Sequence, residues 1–266
     1  MKPSRRHFLQ MGSAAAATGL LVPHATLAAA PVSDSFPSHP PELAREMVGV
    51  SHGNVARVKE LLAERPSLAK AVWDWGFGDW ETALGAASHV GNREIAELLM
   101  AQGARPDLFT AAMLGWLDVV KAYVAANPGI QRLKGPHSIP LLAHAEAGGE
   151  KAAAVVAYLK TLEGAGERPT DKELPGEEID ALVGVYAFGP KPADAFEVER
   201  RKGGGMPGQL TVKRVEGAPR NVFHLGDRVF QPAGAEAVRL KFSGESPAKT
   251  LTVLEPAAGT SATRRT

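Results

Sequence analysis

Residues 80–107 read WETALGAASHVGNREIAELLMAQGARPD, and this stretch decides the organisation of the chain. Thr82-Ala83-Leu84 turns into a first helix, where Ala86 and Ala87 are small enough to pack closely on a neighbour. Gly91-Asn92 then turns the chain, and Glu94-Ile95-Ala96-Glu97-Leu98-Leu99 forms a second helix capped by Gly103-Ala104. Glycine supplies the positive φ that such turns need. Gly53, Gly91, Gly115 and Gly149 each open a similar apolar pattern. Five places on stand Val58, Ala96, Val120 and Ala154, and eight places on stand Leu61, Leu99, Tyr123 and Ala157. A recurrence near every 33 residues or so is the mark of a repeat architecture.

On these residues the region 41–165 resembles an ankyrin-repeat domain, an α-helical ankyrin-type solenoid of about four repeats. Residues 80–107 match best. The third unit, from Leu108 to Gly115, begins directly after Asp107 with almost no finger, and the fourth, residues 139–164, fits loosely. The resemblance implies binding on a concave face and no chemistry.

Residues 71–80, AVWDWGFGDW, hold three of the four tryptophans. In an ankyrin array this segment is the finger loop beside the concave surface. Aromatic side chains on a glycine-jointed loop suit an interface anchor; equally, they suit a lid packed over the junction between repeats. The positions just before each turn glycine are those that such arrays vary for recognition, and two of them are His52 and His89. The expected contacts with a protein partner are therefore Trp73, Trp75, Phe77, Trp80, His52 and His89. His52, His89 and His144 together raise a metal or anion site, but no carboxylate has matching spacing. No metal ligand and no cofactor is assigned.

Ser4-Arg5-Arg6-His7-Phe8-Leu9, followed by a mild apolar run over residues 11–30, resembles a bacterial twin-arginine export signal. Arg5, Arg6, Phe8 and Leu9 carry that match, and Ala28-Ala29-Ala30 offers a cleavage site. The resemblance implies a periplasmic or secreted protein, a folded cargo of the export machinery, with no membrane anchor after cleavage. Residues 31–40 read as a linker. The 266 residues include no cysteine, which excludes disulfides, thiolate metal sites and a cysteine nucleophile. Losing Lys2, Arg5 and Arg6 with the signal turns 30 basic against 29 acidic residues into 27 against 29. No basic patch points to nucleic acid.

Residues 166–178 form a charged, proline-containing linker, after which the apolar period falls from 3.6 to 2. Phe196/Val198, Leu210/Val212, Val238/Leu240/Phe242 and Leu251/Val253 alternate with polar neighbours. Six or seven short antiparallel strands are expected over 179–256, closing a small β-barrel or half-barrel. The run from Leu182-Val183-Gly184-Val185-Tyr186 through FHLGDRVFQPAG to VRLKF resembles the small lipocalin-like domain appended to secreted serine hydrolases. Such a domain is usually an accessory and fixes no ligand; the alternative function is small-molecule or lipid binding by this domain with the helical array as scaffold, which a cavity lined by Phe196, Leu210, Phe223 and Phe242 would support. Residues 257–266 read as a disordered tail. The expected fold class is thus multidomain α + β.

Catalytic motifs are missing. Ser67-Leu-Ala-Lys70 has the S-x-x-K spacing but lacks its partner motifs. Residues 203–208, GGGMPG, lack the Lys-Ser/Thr of a phosphate loop and read as a hairpin turn. The sequence therefore reads as an exported, non-catalytic interaction protein.

Overall fold

The structure, a computed structural model, describes residues 34–202, 209–215, 217–255 and 258–265. The expected export signal, with Arg5, Arg6, Phe8 and Leu9, and the glycine-rich turn at 203–208 lie outside the described residues. Residues from His39 onward form one contact unit.

Among the described residues eight α-helices come first, in hairpin pairs: α1 (Pro41–Val50) with α2 (Val55–Glu64), α3 (Ala83–His89) with α4 (Arg93–Ala101), α5 (Leu108–Leu114) with α6 (Leu117–Ala126), and α7 (Leu141–Ala147) with α8 (Ala153–Lys160). Local chemistry starts several of them. Asn54, Thr82, Asn92 and Asp107 each accept a hydrogen bond from a backbone N–H in the first turn of α2, α3, α4 and α5. α1, α3, α5 and α7 pack side by side. Ala83, Ala86, Ala87, Ala111, Ala112 and Ala145 lie buried along this row, where small side chains let helices approach closely. The larger apolar residues Leu61, Ile95 and Leu99 fill one core, and Leu141, Val155 and Leu159 fill another.

Between α2 and α3 the chain forms a short antiparallel pair, β1 (Val72–Asp74) and β2 (Trp80–Thr82). The expected ankyrin-type solenoid is corrected at this point. The described residues hold short helices of 7–10 residues whose connections differ at every junction: a β-pair before α3, a direct start at α5, and 3-10 turns at Pro136–Ser138 and Gly149–Ala152. A solenoid needs one unit to recur. The glycine spacing instead marks the tight turn inside each helical hairpin, a feature that helical hairpins share whatever their array.

The C-terminal half is a closed barrel of eight antiparallel strands in the order β10-β3-β4-β5-β6-β7-β8-β9. The strands are β3 (Gly184–Ala187), β4 (Ala195–Arg200), β5 (Leu210–Arg214), β6 (Arg220–Gly226), β7 (Val229–Pro232), β8 (Arg239–Ser243), β9 (Thr250–Glu255) and β10 (Ala258–Arg264). Two expectations are corrected here. There are eight strands rather than six or seven, and the tail read as disordered supplies β10, which pairs with both β9 and β3 and closes the sheet. The sequence of β10 is built from small and polar residues, so it carries no apolar alternation to mark it. Its place comes from backbone pairing with two otherwise bare edges.

Tyr186, Leu210, Phe230, Leu240, Phe242 and Leu251 fill the barrel, each at most 2% exposed. Helix α9 (Gly176–Leu182) adds Ile179 and Leu182 to that core. Phe77, from the loop between β1 and β2, stacks on Phe196 with centroids 6.2 Å apart, and Phe188 packs beside it. Helical and barrel halves thereby share a packed junction.

Candidate metal centre

The β1–β2 finger and three neighbouring segments converge on one buried carboxylate. In β2 the pleat puts Trp80 and Thr82 outward and Glu81 inward, where it is fully buried. A carboxylate with no access to water must be compensated. His52 follows the last turn of α1, His89 ends α3, and His137 lies in the 3-10 turn Pro136–Ser138. His89 Nε2 stands 3.0 Å from Glu81 Oε1, His137 Nε2 3.5 Å from the same oxygen, and His52 Nε2 3.6 Å from Oε2. One ligand atom from each of the four residues fits within 4.8 Å of the others.

These separations match a coordination sphere. Bonds of about 2.0–2.1 Å in a tetrahedron place ligand atoms roughly 3.4 Å apart. Glu81 Oε1 and His89 Nε2 are close enough for a hydrogen bond, yet both are buried without a hydrogen-bond partner.

The outer contacts have the character of a ligand set held in place. His52 Nδ1 lies 3.0 Å from the carbonyl of Gly49, which turns Nε2 toward the cluster. His137 Nδ1 lies 2.6 Å from Asp79 Oδ2, and Trp75 Nε1 donates to Glu81 Oε2 at 2.7 Å. Such second contacts orient imidazole and carboxylate ligands. Asp79 is itself buried. It accepts from the His137 backbone N–H at 3.0 Å and from the Arg220 guanidinium of β6, so the barrel reaches the cluster through it. Arg220 Nη1 also donates to the Ala233 carbonyl at 2.8 Å.

His137 (φ 59°) and Ser138 (φ 59°) both occupy the left-handed region, an uncommon state for two successive non-glycine residues. Asp79 holds the first. Ser138 Oγ holds the second, donating to Glu236 at 2.7 Å and accepting from the Gly234 N–H at 2.7 Å.

Charge follows the geometry. Burial opposes ionisation of Glu81, but the proximity of His137 and His89 within hydrogen-bonding range, and the charge on His137 and His52, outweigh it and hold the carboxyl well below its usual range. Burial also works against a charged His137, and there Asp79 and Glu81 prevail, raising it to about 9. His52 is lowered, chiefly by burial. His144 lies beside the cluster, its ring centroid 6.3 Å from that of His89. It is completely buried with neither nitrogen bonded, and burial pushes it down to about 3.

The cluster opens on a cleft of about 380 Å³ lined by Gly49, His52, Trp75, His89, His137 and, from the barrel side, residues 218–221 and Ala233. Of the expected partner contacts, His52 and His89 belong to the cluster itself. Trp75 orients Glu81, Trp73 packs on the helical core beneath the Arg45 guanidinium, and Phe77 lies on the barrel. Trp80 alone of the four aromatics is exposed, at 63%. The barrel residues expected to share a cavity do not converge on one. Leu210 and Phe242 sit in the packed interior, Phe196 lies at one end against Phe77, and Phe223 is on the strand face opposite Val222.

The sequence assigned no metal ligand, and the structure brings His52, Glu81, His89 and His137 together as a group that could hold one. Glu81, His137, Asp79 and Arg220 went unrecognised in the sequence. In the sequence no carboxylate has spacing that matches His52 and His89, because Glu81 reaches them from the finger strand. No protein-family model, curated protein or solved structure gives a significant match to this chain.

Proposed function

We propose that this chain binds a divalent transition metal through His52, Glu81, His89 and His137 and presents it to a small molecule in the adjoining cleft. The observation that carries the reading is the convergence of three imidazole nitrogens on a buried carboxylate, with Asp79, Trp75 and the Gly49 carbonyl holding the ligands from behind. A set of imidazoles and one carboxylate without thiolate favours zinc, iron, cobalt, nickel or copper over calcium or magnesium.

Three neutral imidazoles and one carboxylate leave a bound divalent ion with a net positive charge toward the cleft, able to polarise a carbonyl or acidify a water. The protein's part is to hold the ligands rigid. His137 is fixed by strained backbone and Asp79, and Glu81 by Trp75. The proposed export signal accords with this role, since a cargo that crosses folded carries a bound metal with it.

Cobalt titration of the metal-free protein tests the reading. One equivalent should bind and give the visible absorption of a low-coordinate imidazole site. His89→Ala and His137→Ala should each abolish that absorption while retaining the far-ultraviolet dichroism of the parent. Binding that is substoichiometric, or unaffected by both substitutions, overturns the proposal.

A further inference from the structure

The cleft beside the metal-ligand cluster carries a second recognition element, and its charge is one-sided. Arg220 lines the cleft together with His52, His89 and His137, and no acidic residue lines it. The Arg220 side chain is 6% exposed. Its Nη1 serves both Asp79 and the Ala233 carbonyl, while its Nε and Nη2 make no hydrogen bond among the described residues. A buried guanidinium normally uses more of its five donors than this. Asp79 balances one unit of charge on Arg220, and Glu81 would balance one of the two on a divalent ion, so the loaded site keeps a surplus of one positive charge facing the cleft. The remaining walls carry no charge: Trp75, Ala218, Pro219 and Ala233 are apolar, and Asn221 adds a neutral amide.

Resting on the metal reading above, we propose that the ligand of this cleft is a small organic carboxylate. Its carboxylate takes the free edge of Arg220, and a second oxygen-bearing group reaches the metal. The chain of contacts from Arg220 through Asp79 to His137 separates the two recognition points by about one imidazole ring and one carboxylate, so both fit on one small molecule. Arginine favours carboxylate here because two parallel N–H groups match its two oxygens.

The probes are three hydroxamates, which chelate the metal: acetohydroxamate, the monohydroxamate of succinic acid, and the methyl ester of that monohydroxamate. Each is titrated into the cobalt-loaded protein and followed by its visible spectrum. The acid should bind at least about tenfold more tightly than its methyl ester, the scale of a charge-assisted hydrogen bond. Arg220→Lys keeps a cation on Asp79 but loses the fork, and should shrink that ratio toward one. Equal binding of acid and ester by the unsubstituted protein overturns the carboxylate inference alone. Absence of any cobalt spectrum overturns the metal reading, and this inference with it.

Discussion

His144 is a buried side chain whose protonation the fold resists. Both its nitrogens lack partners, and burial lowers it to about 3 against an ordinary value of 6.5. Below pH 6.5 the unfolded chain takes up a proton that the folded chain refuses. Stability is therefore full above 6.5 and falls as the pH drops toward 3, at roughly 1.4 kcal/mol per pH unit for the one proton. His144→Leu removes the unsatisfied nitrogens, and the gap between urea midpoints at pH 8 and pH 4 should narrow. An unchanged gap would mean that other groups set the acid limit. The same side chain illustrates what sequence reading reached at this scale. His52, His89 and His144 stood out as histidines on related turns, and two of them are in the cluster. His137 did not, because an irregular turn has no period to place it, and its role depends on Asp79 lying 58 positions earlier in the chain.

At the scale of elements, the periodic parts were legible. The apolar spacing of α2 and α4 located those helices, and alternation located β4, β5, β8 and β9. Elements defined by partnership were not. β10 is a strand because β3 and β9 flank it, and Pro136–Ser138 is a ligand-bearing turn because Asp79 and Glu236 tie it down. Gly91 gives this scale its prediction. It turns the chain between α3 and α4 at φ +73°, two residues after His89, and a Cβ there would meet the Ala147 carbonyl of α7. Gly91→Ala should cost more than the roughly 1 kcal/mol of an unfavourable φ, because α3 and α7 must also separate. A lowered thermal midpoint together with weakened cobalt binding is expected. Loss of stability with unaltered metal affinity would show that His89 does not depend on this turn.

For the molecule as a whole, the metal-ligand cluster belongs to the helices but is completed from the barrel. Asp79 is the link, since His137 and Arg220 share its carboxylate. Asp79→Asn keeps the shape and removes the charge, leaving Arg220 buried beside a neutral amide. The expected cost is about 3–5 kcal/mol in unfolding free energy, as for other broken buried pairs. Metal affinity should fall roughly ten- to a hundredfold through the loosened His137. Chemical unfolding and competition with a chromophoric chelator measure the two effects. A stability loss without any change in metal affinity would separate the junction from the site. Strand β10 has a consequence of another kind. Because it is the seam of the barrel, removing it converts a sheet without edges into one with two, along β3 and β9. Each bare edge is a template for the same strand from another copy, so two chains that exchange β10 satisfy both seams at once. The barrel thus carries a built-in route to pairing by strand exchange, kept closed in the single chain by the backbone pairing of β10, by the burial of Ala262 and by the Arg264 guanidinium on the carbonyls of Ala181 and Val183.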